Sequence, residues 1–317
     1  MNWTFDQNEV EWIETHLKNF WNRTLAGIAP TGFPAYGRLL HPATAAGGQP
    51  ARWREVAEQN GTVLGPASDF LHVALPENSQ IGRPIWTGDP PRIGTLDSQR
   101  AERLTDLLRS HTTTPGQVSF GLWDGLGWDH AIRFSPGHPP EPVPDPIPQD
   151  VRAGPRIRIP GRDYLYYSGP IEDVLAWMPT QHQTPHLWWP KDHAWSVAGD
   201  VDLPWTIIAG SHDLIDQLAQ DPVLEVLVIA EDARLDSHPR WLDAWVAQAV
   251  QDLVASRRAT VDTPLGSVSF QLSDDGQWLE SGGGRTRMPP HNGRSAFEEQ
   301  LSSPVLRYLI GGLRLYD

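Results

Sequence analysis

Two stretches of the chain set indole rings beside carboxylates closely enough to suggest ligand chemistry. The first holds Trp123, Asp124, Trp128, Asp129 and His130. The second holds Trp188, Trp189, Asp192, His193 and Trp195, with Asp200 and Asp202 close behind. An indole face gives a flat apolar surface and a neighbouring carboxylate accepts hydrogen bonds, a combination that suits sugar rings or cationic ligands. Paired carboxylates also perform acid–base work on glycosides. The competing reading is structural: Asp124 and Asp192 are turn residues and the rings pack a core. The candidate ligand-binding residues are therefore Trp123, Asp124, Trp128, Trp188, Trp189, Asp192 and His193, and no catalytic residue is assigned.

Other chemistries are weaker. His182, His186 and His193 have a spacing that could reach one metal ion, but Pro185 opposes the helix that would align them. We therefore expect no metal site and no cofactor. Neither a His-Glu-x-x-His stretch nor a Gly-x-Ser-x-Gly elbow occurs. Arg156, Arg158 and Arg162 form a sparse basic strand, readable as phosphate or carboxylate recognition or, more simply, as a solvated face. The only lysines are Lys18 and Lys191, and neither follows a glycine, so a Walker A loop is excluded. Schiff-base chemistry would have to use one of those two.

Composition narrows the classes further. The chain has 317 residues, no Cys, 15 Trp and a net charge of −14. Without Cys there is no disulfide framework, thiolate metal site or Cys nucleophile. The acidic balance disfavours nucleic acid. The start Met1-Asn2-Trp3-Thr4-Phe5-Asp6 does not read as a signal peptide, and no apolar run has membrane-span length. The expectation is a soluble cytoplasmic protein, not associated with membrane, whose abundant Trp favours contact with a protein partner.

The elements that must position these residues follow from periodicity. A helix is expected from Asp6 to Arg23, with Asp6 as cap, Glu9 completing a capping box, and Val10, Ile13, Leu17, Phe20 and Trp21 on one face. Strands follow at Tyr36–His41 and Val118–Trp123, the second turning at Asp124-Gly125 into a hairpin arm near Trp128–Phe134. Helices are expected over Arg52–Gln59, ended by Asn60-Gly61, and over Leu96–Ser110, with Thr95 or Asp97 at its cap. Residues 135–150 are proline-rich and read as an extended loop. Further strands are expected at Arg156–Ile159, Tyr164–Tyr167, Ala194–Val201, Trp205–Ala209 and Leu224–Ile229, with a helix capped by Ser211. A helix from about Ser237 places Trp241, Trp245 and Leu253 on one face and ends at Arg257 and Arg258. Short strands follow around Val261–Leu265, Ser267–Leu272 and Trp278–Leu279, then a short helix at Ser295–Leu301. The fold class is α+β: a mainly antiparallel sheet with flanking helices in a main domain, 1–235, and a smaller C-terminal α+β unit, 236–317.

Three stretches carry a resemblance. They are Phe33 to Ala43 (FPAYGRLLHPA) with Arg52-Trp53; Gly121 to Gly127 (GLWDGLG); and Leu187 to Trp195 (LWWPKDHAW), continuing through Asp200 to Thr206 and Gly210-Ser211. Together they resemble a family of uncharacterised actinobacterial proteins. The resemblance stops near Asp236 and implies no reaction, ligand or site residue.

Three functions remain open. The first is a non-catalytic binding or interaction protein, immunity-like or regulatory. The second is a carbohydrate or small-ligand enzyme or sensor using the Trp/Asp cluster. The third is a metal-dependent hydrolase.

Overall fold

The computed structural model describes residues 1–17, 24–74, 86–126, 132–133, 141–142, 147–159, 162–233, 235, 240–263, 266–274, 278–281 and 284–287. The chain divides into two compact units, one of residues 1–41 with 92–236, the other of 42–91 with 237–317. The class is α+β in the described residues: a large antiparallel sheet with helices, and a small separate C-terminal sheet with a helix.

The first unit is built on eight strands: β1 (Ala35–Leu40), β2 (Val118–Trp123), β3 (Ile157–Ile159), β4 (Arg162–Gly169), β5 (Leu187–Pro190), β6 (Ser196–Gly199), β7 (Trp205–Gly210) and β8 (Val226–Ile229). Their spatial order is β8-β1-β7-β6-β5-β2-β4-β3, and every neighbouring pair is antiparallel. All six residues of β1 and of β7, the second and third strands from the β8 edge, are buried, so the sheet is covered on both faces there. β7 (WTIIAG) accordingly shows no polar/apolar alternation, as expected of a strand buried on both faces, whereas β1 (AYGRLL) also buries Arg38.

One face carries Leu39, Phe120, Leu122, Leu165, Tyr167, Trp188, Val197 and Ile208, packed with helices α2 (Ser98–Arg109) and α3 (His212–Gln220) into one apolar cluster. Asp97 caps α2 by accepting from Arg100 N at 3.1 Å, and Ala101, Leu104 and Leu108 are buried at helical spacing. Ser211 caps α3, accepting from Leu214 N at 3.2 Å, and Leu214, Ile215 and Leu218 face inward. Pro222 lies just beyond the end of α3.

The opposite face carries Tyr36, Tyr166, Trp189, Ser196 and Trp205 and receives helix α1 (Gln7–His16). Asp6 caps α1 through Asn8 N and Glu9 N, and Val10, Ile13 and Leu17 are buried. The expected helix is longer, but residues 18–23, including Phe20 and Trp21, lie outside the described residues. Upstream, Asn2 forms a bridge to Ser168, and the Met1 ammonium pairs with Asp173 at 2.7 Å.

The hairpin expected after Trp123 does not form as read. Both edges of β2 are already taken, by β4 and β5, and Asp124–Leu126 is a single tight helical turn. The described part of the second arm, Ile132–Arg133, pairs with Glu141–Pro142 inside the proline-rich stretch. Arg156 is tied down instead of solvated: it donates to Asp124 Oδ2 at 2.8 Å and to the carbonyls of Arg152, Val151 and Gly154 at the end of the short helix Gln149–Ala153.

In the second unit, the helix Trp53–Asn60 starts where Glu55 accepts from Arg52 N at 2.9 Å and stops at Gly61 in the left-handed region (φ 66°). Trp53, fully buried, meets Phe70 edge-on at 5.2 Å. Helix α4 (Arg240–Ser256) buries Ala249 and Leu253; the side chains of Trp241 and Trp245 lie outside those described. Arg257 turns the chain at φ 59° directly into β9 (Arg258–Thr263). β10 (Gly266–Leu272), β11 (Trp278–Ser281) and β12 (Gly284–Arg287) follow as an antiparallel meander around Val261, Phe270, Leu272 and Leu279. The expected helix at Ser295–Leu301 lies outside the described residues.

Candidate functional site

The antiparallel register of β2 and β5 decides which candidate residues can meet. Gly121 pairs with Leu187 and Val118 with Pro190, so Trp123 stands at one end of the pair and Asp192 and His193 at the other. Five residue steps at about 3.3 Å each separate Trp123 from the level of Pro190, roughly 16 Å along the strand, and Asp192 and His193 lie in the turn beyond it. Trp188 and Trp189 point to opposite faces, as successive strand residues must. The seven candidates are thus distributed over two ends and two faces. Trp128 lies outside the described residues.

At the first end, Arg162 is the organising residue. Its guanidinium holds both oxygens of Asp200, at 2.9 and 3.2 Å, and Oδ2 of Asp202 at 2.8 Å, and lies 5.3 Å from the Trp123 ring centre. The Asp200 side chain is only 4% exposed, so this is a charge pair taken out of water, which needs such bidentate geometry to hold. Burial and the Asp200 charge push the Asp202 carboxyl up, while Arg162 opposes them. Burial, then the Asp200 charge, also raises the Tyr164 hydroxyl. Beneath lies His186, buried, with Nδ1 accepting from Trp123 N at 3.1 Å. Burial pushes this imidazole down to about 4, so it is neutral near pH 7.

At the second end, Asp192 is a fastening. Oδ1 accepts from Thr112 Oγ1 (2.8 Å) and Ala194 N (3.2 Å), and Oδ2 accepts from Thr113 N and Thr113 Oγ1, both at 2.7 Å. Burial alone would push this carboxyl up, but the bonds from Thr113, Thr112 and Ala194 outweigh it and hold it below the usual carboxylate range. His193, in the left-handed region at φ 50°, stacks on Trp12 with ring centres 4.0 Å apart and 14° between planes. Its Nε2 lies 3.0 Å from Glu9 Oε2, which also accepts from Trp189 Nε1 at 2.9 Å. A carboxylate oxygen accepts, so Nε2 carries a proton, and in the neutral ring Nδ1 is left as an acceptor. The His193 side chain is 31% exposed.

Trp188 is a core residue. It is buried and meets Trp195 edge-on at 5.9 Å, and Trp195 Nε1 donates to Leu108 O at 3.0 Å. The three histidines considered for metal are separated: His182 ends a short helix at φ 51°, His186 is buried by Trp123, and His193 sits at the far end of β5. Among the described residues no three His, Cys, Asp or Glu side chains converge as a metal-binding group.

Sequence reasoning missed Glu9 and Trp12 as partners of His193. Glu9 has the spacing of a capping-box residue, and its carboxylate is used across the fold instead. Nothing local signals this, because the contact joins residues 180 or more positions apart.

No family model matches the chain, and neither does any curated protein or solved structure.

Proposed function

We propose that the chain is a non-catalytic binding protein that acts in the cytoplasm by contact with a protein partner. One observation carries this reading: among the described residues, the carboxylates whose spacing suggested chemistry (Asp129 lies outside them) are engaged by internal donors. Asp192 accepts four hydrogen bonds, Asp124 faces Arg156, and Arg162 sits between Asp200 and Asp202. A glycosidase pair needs two carboxyl groups facing a sugar with opposite protonation roles, and a guanidinium lying between the two occupies that space. Among the described residues no helix is long and apolar enough to cross a membrane.

A second reading rests on the Trp12–His193 stack. An imidazole about a third exposed and oriented by a buried carboxylate, with an indole against its face, suits a small ligand that donates a hydrogen bond to Nδ1 of the neutral ring.

The test is a turnover screen against aryl glycosides and carboxylic and phosphate esters, run beside His193→Asn and Asp202→Asn. The binding reading expects no turnover above buffer from any of the three. It also expects a reproducible stoichiometric partner on affinity capture from the native host. Turnover lost in either variant overturns it.

A further inference from the structure

The two edges of the eight-stranded sheet are treated differently. At the β3 edge, Arg158 is exposed, its backbone N–H donates to Glu14 Oε1 at 2.7 Å, and prolines at 155 and 160 flank the strand. Charge, a satisfied donor and proline are the devices by which proteins close an edge to further pairing. The β8 edge has none of them. Its sequence is Val226-Leu227-Val228-Ile229; among the described residues it pairs only with β1 and makes no other backbone hydrogen bond. Val228 is 53% exposed, and among the described residues only Val63 is a more exposed large apolar residue.

The surroundings of this edge select its occupant by charge. From Ser211 to Asp232 the chain has six Asp or Glu and no Lys or Arg. Asp213, Asp216, Glu231 and Asp232 are exposed. Two copies of this chain meeting edge to edge would bring the same acidic flank together, each copy with a net charge of −14. An extended segment with alternating apolar residues and flanking Lys or Arg meets both demands: backbone partners for the open edge and opposite charge at its ends.

We propose that the outer edge of β8 is a strand-addition site for an extended basic segment of a partner protein. The proposal rests on the protein-binding reading above and gives it a surface and a partner chemistry. It places the contact away from the Trp/Asp cluster.

The experiment uses the full chain and a fluorescein-labelled peptide, Lys-Arg-Val-Thr-Val-Thr-Val-Lys-Arg, followed by anisotropy, with a Glu-for-Lys/Arg version as control. The basic peptide is expected to bind, to weaken at least tenfold between 50 and 500 mM salt, and to exceed the acidic peptide by tenfold or more. Val228→Lys, at an exposed position that leaves the core intact, loses binding at least tenfold with an unchanged melting temperature; Val228→Thr, still β-branched, keeps it. Equal binding of both peptides, or binding indifferent to Val228→Lys, overturns the proposal. So does a concentration-dependent dimer that Val228→Lys abolishes, since the occupant is then a second copy. A host partner captured equally by wild type and Val228→Lys sinks the edge site and leaves the binding reading standing, whereas turnover in the substrate screen sinks that reading itself.

Discussion

The carboxylate of Glu9 and the indole of Trp189, 180 positions apart in sequence, share a hydrogen bond of 2.9 Å on the α1 face of the large sheet. Trp189 is fully buried, so its N–H has been removed from water and this oxygen is its partner. The same oxygen orients His193, which in turn stacks on Trp12 of α1. One acid thus couples the first helix to β5 and to the loop after it.

Removing that acceptor leaves a buried donor unpaired, which costs about 1–3 kcal/mol. Glu9→Ala is expected to destabilise the protein by an amount in that range on urea denaturation. Glu9→Gln, which keeps an acceptor oxygen, should lose less. In Trp189→Phe the indole donor is gone, and adding Glu9→Ala should then cost measurably less than it does in wild type. Equal costs in the two backgrounds would show that the bond contributes nothing.

On the other side of the sheet, Trp195 fills the core against Trp188 and adds a donor to the Leu108 carbonyl near the end of α2. Truncating a buried aromatic removes its packing and leaves a cavity, together worth about 3–5 kcal/mol. Trp195→Ala should lower stability by that order, and Trp195→Phe by less, because the Leu108 carbonyl that loses the indole donor still accepts from His111 N at 3.1 Å. Calorimetry of both variants checks the order of effects.

What the sequence reveals follows from the range of each interaction. The caps at Asp6, Asp97 and Ser211 are legible because donor and acceptor lie within three residues. The stop at Gly61 is legible for the same reason, since the left-handed turn there is a property of one residue. The opposite facing of Trp188 and Trp189 follows from strand period once a strand is assumed. Pairing is different. Trp123 looks like the top of a hairpin, yet β2 pairs with segments about 45 and 70 residues downstream, and no local pattern ranks those partners above the nearest one. The candidate site divides the same way. Turn roles for Asp124 and Asp192 are readable from composition, whereas the ion pairs of Arg162 with Asp200 and Asp202 require the register of β4 and the loop after β6.

The Arg162 pairings imply a specific pattern of destabilisation. Taking away one partner of a buried pair leaves an uncompensated charge, at a cost of about 3–5 kcal/mol. Arg162→Met should therefore be strongly destabilised, because Asp200 stays buried without its cation. Adding Asp200→Asn removes the stranded charge, and the double variant should recover part of the loss. A double variant less stable than Arg162→Met would sink this account of the site.

Two imidazoles set the protein's behaviour in mild acid. His41 and His186 are both buried, and burial lowers each to about 4. His41 donates from Nδ1 to Arg92 O at 2.8 Å, and in the neutral ring Nε2 accepts from Thr206 Oγ1 at 2.9 Å. In the unfolded chain both rings titrate near 6.5. Between about pH 6.5 and 4 the unfolded state therefore binds more protons than the folded one, and stability falls as pH is lowered through that window, by up to about 1.4 kcal/mol per pH unit for each ring. Asp192 and Asp221, both held below the usual carboxylate range, act elsewhere: their contribution is complete above the unfolded carboxyl value and is lost only at lower pH. Urea denaturation at pH 7.0, 6.0 and 5.0 should show the decline. His186→Gln, which cannot titrate, should have a lower stability at pH 7 and a flatter pH dependence. A slope unchanged in both His186→Gln and His41→Gln would place the acid sensitivity in other groups.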